Sequence, residues 1–335
     1  MMNETTVCAV VLTYNRRHLL ERCLRTLALQ TRRPDRILVV DNAGSDGTPE
    51  FLRTRFPDVE VLVLPHNVGA AGGFAQGMRR AHEAGHGWLW VMDDDAYPLP
   101  DALEELLRYA APDRVLVPWQ RDRSGRLYGA LDWRERPVTV DPALVRAPRE
   151  VDLIAFVGAL VPATAVGAHG LPCEDYFIDI FDWEYGLRLR QAGLKVLLVP
   201  SSVVEHDFAT TVERRVLGRF GRPRPRQAQP AWKEYYFNRN YLVTVRRRSL
   251  GWGAAARYVC RQPLEMARDV AFQPDGWRRV RLRLHAVLDG LRGLTGRRDD
   301  LAAPSTAKPS AGEPLPPERS PVPWRPEESV TPGEP

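Results

Sequence analysis

Short apolar runs alternate with amphipathic stretches through the first hundred residues. Residues 6–12, 36–40, 59–64 and 88–92 are runs of five to seven residues built largely from Val, Leu, Ile and Trp. Runs of that length read as strands buried on both faces. Between the first two, Leu19, Leu20, Cys23, Leu24 and Leu27 recur at helical spacing, and further helices are predicted over 49–55 and from Asn67 to about Ala84. The order β-α-β-α-β-α-β predicts a mostly parallel sheet with helices on both faces. Polar motifs at 13–15, 41–48, 67–74 and 93–95 each follow a strand. In such sheets ligands bind off the carboxyl ends of the strands, so these motifs should converge on one crevice.

Further along, the pattern predicts a helix over 101–109, strands at 114–118, 151–161 and 195–199, and a turn at 156–159. Residues 119–150 are charged and irregular and are predicted to form a hairpin. Residues 174–191 carry acids and then helical periodicity, and 203–206 sit just beyond a strand. An Arg-rich stretch at 212–226 precedes a helical region over 230–295. From about Asp299 onward Pro, Ser, Glu and Ala dominate, which predicts a disordered tail.

The 335 residues suffice for one large or two ordinary domains, and 44% hydrophobic content with nine Trp supplies a core. Cys8, Cys23, Cys173 and Cys260 are scattered without a Cys-x-x-Cys pair, which disfavours a disulfide scaffold or zinc site and fits a reducing compartment. No secretory signal is recognised, and the longest uncharged stretch, 153–170, is too short and too broken by Pro162 to span a bilayer. A cytoplasmic location is therefore expected. The net charge of +5 conceals an asymmetry: −6 over 1–210, +15 over 211–298 and −4 over 299–335. A block at +15 calls for an anionic partner, whether nucleic acid, phospholipid or a diphosphate-bearing substrate.

The apolar run at 88–92 ends in Asp93, Asp94 and Asp95. Clustered like charges repel unless a cation sits on them, and residues i and i+2 of an extended segment point the same way. Asp93 and Asp95 can therefore share a hard divalent ion. The competing reading is an acidic loop or helix start, where Asp is favoured anyway. Asp41 closes the second strand and is either a turn former or an acceptor for a base or ribose. Residues 67–77 contain four glycines between a strand and a helix. They suit either an anion cradle at a helix N-terminus or close helix–strand packing, and they match neither a Walker loop nor Gly-x-Gly-x-x-Gly. Asp179, Asp182 and Glu184 stand at the mouth of a helix, as a general base for a hydroxyl or as acids favoured by the macrodipole, with Arg188 and Arg190 in reach for pairing. His206, in Val-Val-Glu-His-Asp, is either a structural histidine or a ligand.

Taken together, 10–15 (Val-Val-Leu-Thr-Tyr-Asn), 39–48, 93–95 and 181–193 (Phe-Asp-Trp-Glu-Tyr-Gly-Leu-Arg-Leu-Arg-Gln-Ala-Gly) resemble the family-two inverting glycosyltransferases of the GT-A fold, over roughly residues 5–210. Residues 67–74, and Asp182 to Arg188 with His206 22 residues past Glu184, are similar to the bacterial galactofuranosyltransferase and rhamnosyltransferase branch. The resemblance implies an α/β GT-A domain over 1–210, with a nucleotide-sugar half to about 97 and an acceptor half from 98. A basic, mainly helical region over 211–298 and a Pro-rich tail over 299–335 follow. It implies Asp93, Asp95 and His206 as ligands of Mn2+ or Mg2+, an imidazole leaning towards Mn2+. The ion would stabilise the departing diphosphate. It implies Thr13, Asn15, Asp41, Asn67, Gly69, Gly72, Gly73, Phe74 and Asp94 on the nucleotide sugar. Asp182 is the implied catalytic base, with Glu184 as the alternative. The family usually has Ala-Arg-Asn where this chain has Gly73, Phe74 and Ala75, so Arg79 or Arg80 is the expected substitute.

UDP-galactofuranose is the donor this resemblance favours, with dTDP-rhamnose as the alternative. The acceptor would be a glycan or polyprenyl-diphosphate-linked precursor of cell-wall polysaccharide. Residues 277–294 place Val280, Leu284, Val287, Leu288 and Leu291 on one face beside Arg278, Arg279, Arg281 and Arg283. That pattern fits a helix packed on the catalytic domain, or an interfacial helix on anionic lipid at the inner face of the cell membrane. A nucleotidyltransferase is disfavoured because no glycine-rich loop follows the first strand. Nucleic-acid binding is disfavoured because no such motif accompanies the basic block. A non-catalytic glycan-binding relative would be expected to lose Asp93, Asp95 or Asp182.

Overall fold

The computed structural model describes residues 3–122, 125, 127–128, 147–206, 211–216, 220–227 and 229–301. Met1 to Arg298 form one compact unit. Asp299 opens a second, of which only the turn Asp299–Leu301 is described. The expected disorder at 302–335 lies outside the described residues.

Strands β1 (Asn3–Thr13), β2 (Arg36–Asp41), β3 (Glu60–Val63) and β4 (His86–Asp93) pair in parallel in the order β3-β2-β1-β4. Helices α1 (Arg17–Ala28), α2 (Thr48–Arg55) and α3 (Gly69–Glu83) connect them. Their side chains alternate between two cores, as the two-residue period of a strand requires. Cys8, Val10 and Leu12 of β1 face one core with Phe74 and Met78 of α3. Val7, Ala9 and Val11 face the other with Leu20, Cys23, Leu24 and Leu27 of α1.

Beyond β4 the chain adds β5 (Ala96–Pro98), α4 (Ala102–Leu107), β6 (Arg114–Arg121), β7 (Leu127–Tyr128), β8 (Arg149–Glu150), β9 (Val157–Pro162), α5 (Ala163–His169), α6 (Phe181–Gln191) and β10 (Lys195–His206). The sheet continues β4-β9-β6-β10-β5, with β7 on β6 and β8 on β10. β9 runs antiparallel to both its neighbours, while β6 and β10 are parallel to each other. The carboxyl ends of β1, β2, β4, β6 and β10 therefore share one edge of the sheet with the amino end of β9.

Two expectations are corrected here. Residues 157–159 are strand rather than turn, because β9 starts there with a bulge: Val91 pairs Ala159, Met92 pairs Val157, and Gly158 is left over at φ +87°. A left-handed glycine in such a bulge re-aims its neighbours, as bulges beside functional sites do. Residues 203–206 belong to β10 itself, which bends between Val199 and Val203 and pairs His206 with Ala96. The hairpin expected over 119–150 starts as the β6–β7 pair, and 129–146 lie outside the described residues. The Arg-rich stretch forms an antiparallel pair, β11 (Thr211–Val216) with β12 (Phe220–Gln227).

Helices α7 (Ala231–Arg247), α8 (Trp252–Phe272) and α9 (Gly276–Arg292) complete the unit. Much of the basic charge here is used internally. Arg279 pairs with Glu234 and Asp275, Arg283 with Glu234 and Asp269, and Arg247 with Asp175. The buried side of α9 comprises Arg279, Leu282, Ala286, Asp289 and Gly290. Leu284, Leu288 and Leu291 are exposed instead, as are Trp252 of α8 and Trp277.

Candidate active site

The three acids following Met92 have separate fates. Asp94 is fully buried, accepting from Thr13 Oγ1 at 2.7 Å and from Arg16. Arg16, in the loop after β1, also donates to Asp95 Oδ2 at 2.8 Å. Thr13 and Asp94 were expected on the nucleotide sugar. Instead they bind each other, because both carboxylate oxygens of Asp94 are taken by protein donors. Asp93, Asp95 and His206 come together, each offering a ligand atom within 4.8 Å of the other two. The antiparallel pairing of β10 with β5 brings His206 there, and its Nε2 lies 3.4 Å from Asp95 Oδ1. Burial, and then the charge of Asp95, push the Asp93 carboxyl well above the carboxylate range. Burial opposes the Asp95 charge too, yet His206 and Arg16 hold that carboxyl below the usual range. Two carboxylates and an imidazole converging in a partly dehydrated place suit a divalent cation of the Mn2+ or Mg2+ kind.

Beside this trio, the loops after β1 and β2 interlock. Asn15, at φ 56°, accepts from the Ser45 amide at 2.6 Å. Asp41 Oδ1 accepts from the Gly44 amide at 2.9 Å, while Oδ2 is buried and has no hydrogen-bond partner among the described residues. Burial raises the Asp41 pKa. Asn42 next to it ties this loop to the next, donating to Asn67 Oδ1 at 3.2 Å and the Gly69 carbonyl at 3.1 Å.

The glycine-rich segment serves packing rather than an anion cradle. The amides of Val68, Gly69 and Ala71 are already bonded to Asn42 Oδ1, Asn67 Oδ1 and the Phe177 carbonyl. Gly72 abuts Val68, Gly73 lies against Leu12, and a Cβ on Gly77 would sit 2.6 Å from Val10 and 2.7 Å from Val40. Gly69 needs its φ of +76° and leaves no room for a side chain beneath Phe177. Phe74 is 1% exposed, with Phe156 at 5.1 Å and Phe181 at 5.9 Å between ring centroids. Gly72, Gly73 and Phe74 thus leave the list of expected donor contacts. Arg79 and Arg80, the expected substitutes, pair with Glu174 and Glu60 at 2.8 Å each.

Asp182 opens α6 on the same edge. Its Oδ1 accepts from the Trp183 amide at 2.9 Å, and the Phe156 amide also bonds its carboxylate. Phe156 precedes Val157, whose partner is Met92, so Asp182 stands next to the strand that ends in Asp93. Burial pushes its carboxyl up to about 7, with Asp179 adding to the rise. Asp179 is itself raised to about 6 by burial, against the pull of Lys233 3.7 Å away. Glu184 points elsewhere. It is fully buried, 3.3 Å from Arg188 and 3.2 Å from Arg248. That is the helix-start pairing that sequence offered as its alternative role, and it keeps Glu184 out of the cleft. Arg190 pairs with Asp152.

Arg16 and Lys233 had no place in the sequence reading. The signal for Arg16 was charge balance, since three adjacent acids require a cation and the loop after β1 carries two arginines.

The glycosyl transferase family 2 model matches residues 8–146. N-acetylglucosaminyl-diphospho-decaprenol L-rhamnosyltransferase of Mycobacterium tuberculosis is 30% identical over 236 residues, covering 61% of this chain and 77% of that protein. The chain belongs to glycosyl transferase family 2. Galactofuranosyltransferase GlfT1 of Mycolicibacterium smegmatis is 29% identical over 268 residues, covering 73% of this chain and 85% of that protein. Among solved structures, GalNAc-T7 with UDP, GalNAc and Mn2+ superposes with a TM-score of 0.56 at 17% identity, over 87% of this chain and 56% of that one. S. aureus TarS 1-349 with UDP gives 0.51 at 14% identity, over 72% and 65%. These likenesses place the chain in the GT-A fold, and membership of the family makes it a glycosyltransferase. No helix among the described residues is long and apolar enough to cross a membrane.

Proposed function

We propose that this glycosyltransferase moves galactofuranose from UDP-galactofuranose to a polyprenyl-diphosphate-linked glycan, with inversion at the anomeric carbon. The observation that carries the reading is the placement of Asp182 beside the end of β4, where Asp93, Asp95 and His206 converge. Those three residues would hold a Mn2+ or Mg2+ ion, which offsets charge on the departing diphosphate. Asp41 presents its open Oδ2 to the imide N–H of uracil, a donor that would satisfy this buried acceptor. Asn15 and Asn67 shape the loops around it.

On the acceptor side Asp182 removes the proton of the attacking hydroxyl. A carboxyl raised to about 7 is well matched to that task near neutral pH. A single displacement on the face opposite the diphosphate inverts the anomeric centre and needs no covalent intermediate. Residues 1–97 form the donor half and 98–210 the acceptor half, while 211–298 adapt the enzyme to its acceptor.

The relative named GlfT1 supports galactofuranose as the transferred sugar. The rhamnosyltransferase relative supports a second reading, rhamnose from dTDP-rhamnose, and its name gives N-acetylglucosaminyl-diphospho-decaprenol as its acceptor. For a lipid-linked acceptor, the exposed Trp252, Trp277, Leu284 and Leu288, with exposed Arg278 and Arg281 beside them, form a surface suited to anionic lipid. NMR of the product tests the mechanism. A new linkage of anomeric configuration opposite to the donor's supports it, and retention counts against it.

A further inference from the structure

Residues 177–180 join the turn Glu174–Tyr176 to α6, and three of the four have positive φ without being glycine. Phe177 has φ 66°, Asp179 60° and Ile180 65°. A side chain in that region meets its own carbonyl, so each residue returns to the right-handed side unless something holds it. The holder is on α7. Asn240, 0% exposed, directs its Nδ2 at the carbonyls of Tyr176, Ile178 and Asp179, at 3.0, 2.7 and 3.0 Å. Arg239, 1% exposed, fixes which way that amide points, because its Nε donates to Asn240 Oδ1 at 2.9 Å. Arg239 also donates to the Tyr176 carbonyl at 3.0 Å and the Gly296 carbonyl at 2.6 Å. One turn further along α7, Thr244 bonds the Tyr176 hydroxyl at 3.0 Å.

Three carbonyls converging on one amide define the backbone path on which Asp179 and Asp182 depend. We propose that Asn240, oriented by Arg239, is a positioning residue for catalysis. By holding Phe177, Asp179 and Ile180 at positive φ it sets where the Asp182 carboxylate meets the acceptor hydroxyl. Lys233, on the first turn of the same helix, pairs with Asp179 at 3.7 Å. The basic C-terminal block is thereby part of the machinery on the acceptor side, although α7 lies beyond the matched residues 8–146. The proposal rests on the reading of Asp182 as the base.

Two variants of the full chain test it. Asn240→Asp keeps the shape, removes both N–H donors and turns a negative charge on three carbonyls, while Asn240→Ser keeps one donor. In Asn240→Asp, kcat should fall by about 100-fold, the loss expected from a misplacement on the order of 1 Å. The donor KM and the affinity for UDP with Mn2+ should stay within about threefold, since the donor loops are untouched. The acid limb of the kcat profile should move, because Asp179 shifts relative to Asp182, and Asn240→Ser should recover part of the rate. Amide hydrogen exchange should rise across 176–182 and stay unchanged across 8–95. Unchanged kcat with a lower melting temperature would overturn the proposal, as would a rate loss matched by loss of donor affinity. If Asn240→Asp does not fold, Asn240→Ser gives the same readouts, and full kcat with raised exchange in 176–182 overturns it. If the wild-type chain transfers no sugar, the reading of the site fails, and the exchange data still report whether Asn240 holds the segment.

Discussion

Arg16 bonds Asp94 and Asp95 at once, reaching from the loop after β1 to the end of β4. The side chain is 41% exposed while Asp94 is wholly buried, so Arg16 supplies charge from the solvent side to a carboxylate that cannot reach water. Burial lifts the Asp94 carboxyl to about 6 even with Arg16 and Thr13 bonded to it. Arg16→Ala should lower the stability of the metal-free protein by about 1–3 kcal/mol, the penalty of a charged group losing its partner. Mn2+ should restore more melting temperature to that variant than to the wild type, because the ion supplies positive charge to the same cluster. Equal Mn2+ protection in both proteins, measured by thermal denaturation, would show that Arg16 and the ion act on separate groups.

Asp182→Asn should cut turnover by about two to four orders of magnitude, the range for loss of a general base. Titration calorimetry with UDP and Mn2+ should show donor-site affinity unchanged. Wild-type turnover in this variant removes Asp182 from the mechanism.

The pH dependence has a defined sign. Only the ionised carboxylate accepts a proton, so kcat should fall as pH drops below about 7, the raised value of Asp182. Stability runs the other way. A carboxyl whose folded pKa exceeds its unfolded value holds its proton more tightly when folded. Its contribution is fully present below the ordinary pKa of 3.8 and is lost as pH rises through about 7. Asp182→Asn should therefore melt above the wild type at pH 8, with the gap closing towards pH 5. A constant gap across that range would mean that the Asp182 carboxyl is not desolvated.

Glu184→Gln separates the two candidate bases. Glu184 is fully buried between Arg188 and Arg248, so its loss should cost about 3–5 kcal/mol of stability, as for a broken buried pair. The kcat of the folded fraction should stay within about threefold, since the group does not face the acceptor. A large kcat loss without destabilisation would reverse the assignment.

How much of this was legible in the sequence depended on whether a signal was local. The alternation of strands and helices up to Asp93 was legible because each apolar run is short and each helix carries its own period. The sharing of an ion by Asp93 and Asp95 was legible from their spacing, but His206 joined them only through the family resemblance, because the β10–β5 pairing that brings it there is not local. Residues 67–77 were ambiguous because glycines look the same whether they admit a phosphate or a neighbouring strand. Only the packing of Gly73 on Leu12, and of Gly77 on Val10 and Val40, separates the two. The pairing of Arg79 and Arg80 with Glu174 and Glu60 was not legible, because those partners are remote in sequence. The apolar stripe of α9 was visible as a period, but its direction was not. The structure buries Arg279 and Asp289 and turns Leu284 and Leu288 outward. Asn240 was invisible, since its three acceptors lie some sixty residues away.

The proposed lipid contact of that outward stripe can be tested separately. Sedimentation with vesicles containing anionic phospholipid should carry the protein down at low salt, and neutral vesicles should not. Trp277→Ser with Leu288→Ser should weaken the binding without changing turnover on a soluble acceptor. Absence of sedimentation at every salt concentration would leave the stripe to another role.

The most direct test of the central claim is nucleotide release from a panel of nucleotide sugars, measured with acceptor present, first with Mn2+ and then after chelation. In the proposed reading Asp41 accepts from the base imide N–H, which uracil and thymine share, and Asp93, Asp95 and His206 would hold the ion. The expected result is release of UDP from UDP-galactofuranose that stops when Mn2+ is removed and is absent in Asp95→Ala. Turnover that survives chelation, or that favours dTDP-rhamnose over every UDP-sugar, would contradict it.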